Sequence, residues 1–67
     1  MAELQVGAQF SLGDIVRMKG SYPTMVVTEV DLKAPRPICC EWMGPDGLWR
    51  FAWFQQYALI LVEKNYG

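Results

Sequence analysis

The stretch Phe10-Ser11-Leu12-Gly13-Asp14-Ile15-Val16-Arg17-Met18-Lys19 constrains this chain more than any other. A Gly-Asp pair turns the backbone, and the residues after it alternate: Val16 and Met18 on one side, Arg17 and Lys19 on the other. Period-two alternation marks an antiparallel strand with one face buried and one face wet. A first strand is therefore predicted from Asp14 to Lys19.

Turn formers punctuate the rest of the chain. Gly20-Ser21-Tyr22-Pro23 leads into a second strand, Thr24 to Val30, with Met25 and Val27 inward. Asp31-Leu32-Lys33-Ala34-Pro35-Arg36-Pro37 holds two prolines, which cannot donate to a sheet ladder, so it is predicted to be the longest exposed loop. Ile38 to Met43 forms the third strand, with Ile38, Cys40 and Trp42 alternating with Cys39, Glu41 and Met43. Gly44-Pro45-Asp46-Gly47 then makes a hairpin, because proline presets one dihedral and Asp-Gly supplies positive φ. A fourth strand runs from Leu48 to Phe54, a tight turn occupies Gln55-Gln56-Tyr57, and Leu59 to Val62 is expected to close the sheet. Met1 to Gln9 reads as a loose arm and Glu63 to Gly67 as a polar tail. The expected fold is all-β, a small five-stranded SH3-like barrel over residues 10–62, with an open five-stranded sheet completed by dimerisation as the alternative.

The fourth strand is the anomaly. One face carries Trp49, Phe51 and Trp53, the other Leu48, Arg50, Ala52 and Phe54, and neither is polar. A sheet with one core needs only one such face, so the second is available to the arm, a second subunit or a ligand.

Composition narrows the function classes. The chain has 67 residues, enough for one domain that buries only about 60% of its unfolded surface, and its nine aromatics and four methionines supply a dense core. Its apolar runs are of strand length, which predicts no membrane crossing, and the start lacks the basic and apolar pattern of a secretory signal, so a cytoplasmic protein is expected. With a formal charge of −1 and six scattered basic residues, the footprint of a strong nucleic-acid binder is missing. Cys39 and Cys40 are adjacent, point to opposite faces of a strand and read as small hydrophobes; without histidine no ordinary zinc site can form, and no metal or cofactor is expected. Asp14 and Glu41 are acids without a positioned nucleophile, so no enzyme activity is expected, and Asp14 reads as a turn cap acting through its own backbone.

The pattern Phe10-x-x-Gly13-Asp14-x-Val16-x-Met18-Lys19, then Gly20-x-x-Pro23-x-Met25-x-Val27-x-x-Val30, then Cys40-x-Trp42, resembles the YodC-like family of small bacterial and prophage proteins over roughly residues 10–62. Phe54 and Leu59 answer the family's final phenylalanine and leucine segment. Ser21-Tyr22, Val26 and Met43 depart from its glycine-rich turn, threonine and phenylalanine, and the loop around Pro35 and Pro37 looks longer. The resemblance implies an SH3-like barrel of bacterial or phage origin and transfers no catalytic residue. Phe10, Gly13, Asp14, Val16, Arg17 and Lys19 also resemble the opening of the plasmid-type dihydrofolate reductases, tetramers with a shared pore. Where those enzymes carry a Val-Gln-Ile-Tyr strand this chain has Phe51-Ala52-Trp53-Phe54, without polar groups for pterin or nicotinamide amides.

These observations lead to an expected function as a non-enzymatic protein-binding module that self-associates through the fourth strand. Its size and acidity would suit an inhibitor that occupies a host protein, including a defence component. The candidate partner-binding residues are Lys33, Arg36, Trp49, Phe51 and Trp53, with Pro35 and Pro37 limiting the conformations of the free loop. Two alternatives stand beside it. One is a nucleic-acid-binding barrel of the Tudor or KOW type, with Arg17, Lys19, Arg50 and Lys64 on phosphates and Tyr22 or Trp49 as a stacking platform. The other is the reductase-like tetramer.

Overall fold

The computed structural model describes residues 9–21 and 23–66. Its strands are β1 (Ile15–Met18), β2 (Met25–Val30), β3 (Ile38–Met43), β4 (Trp49–Phe54) and β5 (Leu59–Glu63), with a single 3-10 turn over Gln56–Ala58. Each lies within a residue or two of the stretch that alternation and turn signals predict. The expected arm, Gln9 excepted, and Tyr22 lie outside the described residues.

All ladders are antiparallel, and the sheet order is β4-β3-β2-β1-β5. The expected SH3-like barrel is not what forms. The sheet stays open: β4 and β5 are its two edges, and no ladder joins them. The connection between them coils the sheet but does not close it, because each edge strand is paired on one side only, β4 with β3 and β5 with β1. A flat five-stranded sheet is about 19 Å from edge to edge, and the short link through Gln56–Ala58 contracts into a 3-10 turn, so the sheet must coil. That link joins the end of β4 to the start of β5, and no ladder forms between the two strands beyond it.

The β3–β4 register is unbroken from Ile38↔Phe54 to Met43↔Trp49, and it is set by the hairpin between them. Gly47 N–H donates to Gly44 O at 3.0 Å, Gly44 N–H donates to Leu48 O at 2.8 Å, and Gly47 takes φ 80°, so a three-residue loop ends in a left-handed glycine. The Arg50–Asp46 ion pair, 2.6 Å, lies over this turn.

Packing follows the register. Val16, Met25, Val27, Ile38, Cys40 and Leu59 are buried together with Phe10, and Val30, Trp42 and Phe54 pack around them. Trp42 and Phe54 meet at 6.4 Å between ring centroids, tilted by 54°, an edge-biased contact between neighbouring strands. Met25 and Val27 are inward as alternation predicts. Ala52 and Phe54 stand opposite Cys40 and Ile38 and share their core face, which leaves Trp49, Phe51 and Trp53 on the other.

Candidate functional site

On the outer face of β4 the aromatic residues recur every second position, about 7 Å apart. Trp49 and Phe51 are 65% and 67% exposed, and Trp53 is half-buried. Their cross-strand neighbours on β3 are Met43, Glu41 and Cys39 respectively. Met43, opposite Trp49, is also exposed, so the apolar surface of this face continues onto the end of β3. Soluble proteins rarely leave this many large apolar side chains together in water without an occupant.

At the Trp53 end the surface meets the loop between β2 and β3. Asp31, Ala34, Pro35, Arg36 and Trp53 line an open cleft of about 360 Å³. The loop is fastened at its base by Asp31 N–H donating to Pro37 O at 2.8 Å. Within it, Ala34 N–H donates to Asp31 O at 3.0 Å and Lys33 N–H to the Asp31 carboxylate at 3.1 Å. The Gln55 side-chain amide donates to Pro35 O and ties the loop to the end of β4. Two prolines and these four bonds hold the backbone around Arg36, which is exposed at the cleft.

Of the five candidate residues, Arg36 and Trp53 therefore share one cleft, and Trp49 and Phe51 extend the same face of β4. Lys33 is exposed on the loop and does not line the cleft.

Three of the basic residues considered for nucleic acid, Arg17, Arg50 and Lys64, lie on different segments of the fold. Arg50 stands opposite Trp42, on the face away from Trp49 and Phe51, and pairs with Asp46. Arg17 is on β1, separated from β4 by two strands, and Lys64 is bound to Asp14 at 3.2 Å. Tyr22, the other candidate for stacking, lies outside the described residues.

Asp14 has a larger part than a turn cap. Its side chain is fully buried, and it accepts from Ser11 N–H at 2.9 Å, as a local cap would. It also accepts from Asn65 N–H at 2.9 Å and Lys64 Nζ at 3.2 Å, residues of the segment expected to be a mere polar tail. Asn65 continues the clasp by donating its side-chain amide to Leu12 O at 3.0 Å. Burial pushes the Asp14 carboxyl up, but the N–H groups of Asn65 and Ser11 and the Lys64 ammonium outweigh it and hold the group below its ordinary value. Sequence spacing gave no sign of this contact, since its partners are some fifty residues away; a buried acid beside a turn glycine was the one available hint.

Both cysteines are buried and free. Burial, with a smaller push from neighbouring Cys39, drives the Cys40 thiol up to about 12, so it stays protonated and unreactive at neutral pH.

No helix among the described residues is long and apolar enough to cross a membrane. No protein-family model, curated protein or solved structure matches this chain.

Proposed function

We propose that this chain is a non-catalytic protein-binding module whose partner docks on the outer face of β4 and the adjoining cleft. The observation that carries the reading is the pair Trp49 and Phe51, each about two-thirds exposed on a strand whose other face turns Ala52 and Phe54 toward the core. Tryptophan offers large contact area at small entropic cost and dominates interface hot spots, and phenylalanine adds apolar area beside it. Arg36, held by a proline-braced loop beside Trp53, adds a charged group that can bind a carboxylate or backbone carbonyl at the edge of the apolar patch.

The test is comparative capture. Immobilised wild-type protein, Trp49→Asp and Arg36→Ala are exposed to a bacterial lysate, and retained proteins are identified by mass spectrometry. A partner held by wild type is then purified and titrated. Loss of affinity in Trp49→Asp, with native circular dichroism, is the expected result. Equal affinity of all three proteins would remove the docking surface from this face.

A further inference from the structure

The edges of the sheet are unlike one another. β5 carries a bulge, since Ile15 pairs with Glu63 but Val16 with Leu61, and the chain beyond it folds back onto Asp14. β4 has no bulge, no proline and no lysine, the devices by which sheets blunt an exposed edge. Its hydrogen-bonding pattern can be read from the hairpin. Gly44 N–H bonds Leu48 O, and antiparallel pairs alternate, so Arg50, Ala52 and Phe54 exchange backbone bonds with β3. Trp49, Phe51 and Trp53 then direct their N–H and C=O groups to the free edge. The residues whose side chains form the aromatic face are the same ones whose backbone groups find no strand partner among the described residues.

We propose that β4 pairs antiparallel with β4 of a second copy across a two-fold axis at Phe51. Two conditions select this register. Directly opposed residues must lie on the same face, and the residues that point backbone groups outward must oppose one another over as much of the strand as possible. Centring on Phe51 meets both along the whole strand: Phe51 faces Phe51 of the second copy, and Trp49 faces Trp53 of the second copy in both directions. Centring on any other residue of the strand also preserves parity but pairs less of it: an axis at Arg50 or Ala52 opposes Trp49 with Phe51 or Phe51 with Trp53 and leaves one outward residue without a strand partner, and an axis at Trp49 or Trp53 leaves most of the strand unpaired. The surface is self-complementary in the way a two-fold interface requires.

Pairing along the edge does not consume the aromatic face. It places Trp49, Phe51 and Trp53 of both copies on one continuous face of a single sheet, with a loop cleft at each end. The inference concerns the strand edge and stands apart from the docking role proposed above, because a dimer with no further partner would satisfy it. The contact is at the small end of stable interfaces, about 1,200 Å² in total or less, so dimerisation is expected to depend on concentration.

The experiment uses the full chain. Analytical ultracentrifugation from low to high micromolar concentration should show a monomer–dimer equilibrium, and Phe51→Lys, which opposes like charges at the axis, should shift it at least tenfold toward monomer while circular dichroism stays native. Register is read by cysteine cross-linking. Opposed residues in a hydrogen-bonded pair have Cα atoms about 5.5 Å apart, within disulfide range, so Phe51→Cys should cross-link to itself under mild oxidation. Trp49→Cys should not, because its own copy is about 14 Å along the strand; mixing it with Trp53→Cys should restore the cross-link. A wild-type monomer at high micromolar concentration, or cross-linking of Trp49→Cys alone as efficient as that of Phe51→Cys, would overturn the proposal.

Discussion

Replacing Asp14 with alanine tests the least visible part of this structure. The carboxylate is fully buried and bonds two backbone N–H groups, Ser11 and Asn65, and the Lys64 ammonium. Removing it strands donors that are only partly buried, each costing about 1 kcal/mol or more, and frees the tail that covers the turn. We expect a loss of about 2 to 4 kcal/mol. Set against a total stability of roughly 3 to 10 kcal/mol for a chain of this size, that removes a large share of the stability and shifts the urea midpoint well below that of the wild type. The assay is urea unfolding followed by tryptophan fluorescence. Lys64→Met should cost only about 0.5 to 1 kcal/mol, because its partner keeps two backbone donors and the lysine side chain is 32% exposed. If Asp14→Ala unfolds with the wild-type midpoint, or if Lys64→Met costs as much as Asp14→Ala, the backbone clasp is not what stabilises the turn.

The same group gives an acid signature. Its folded value lies below the ordinary 3.8, so its contribution is complete above that pH and is lost as pH falls through the folded value. Stability of the wild type should decline below about pH 4 more steeply than that of Asp14→Asn, which has no proton to gain there. Parallel acid profiles would contradict the assignment.

Gly13→Ala should destabilise by about 1 to 3 kcal/mol, because Gly13 sits at φ 86° and a Cβ there would strike the Asn65 side-chain amide; a midpoint equal to wild type in thermal unfolding would refute it. Ile38→Ala, at a fully buried core position, should cost about 2 to 5 kcal/mol, whereas Phe51→Ala on the outer face should stay within about 0.5 kcal/mol when both are unfolded in urea at a concentration where the wild type is monomeric. Cys40 should resist a thiol reagent at pH 8 in the native protein and react once it is unfolded, and rapid native labelling would place the thiol in water.

The strands and turns were legible because each rests on local chemistry: alternation places Val16, Met25 and Val27, and Pro45-Asp46-Gly47 fixes a hairpin. Closure was not. Whether β4 meets β5 depends on how far the whole sheet coils, a long-range property that strand count and turn spacing do not carry, and the expected barrel fails at that one missing ladder. The buried Asp14 escaped for a similar reason, its decisive partners being Lys64 and Asn65 at the far end of the chain.

The face of β4 that turns outward was left open by the sequence and is decided by the register of the hairpin. Its two faces are equally apolar in composition, so hydrophobicity alone leaves them balanced. The hairpin breaks the tie: a three-residue loop after Gly44 pairs Trp42 with Arg50, Cys40 with Ala52 and Ile38 with Phe54. Once Ile38 and Cys40 are taken as core, parity sends Phe54 inward and Trp49 and Phe51 outward. The same parity directs the backbone groups of the outward residues to the free edge. Aromatic face and open edge are thus two results of one turn, and lengthening the Gly44–Gly47 loop by a single residue should disturb both at once.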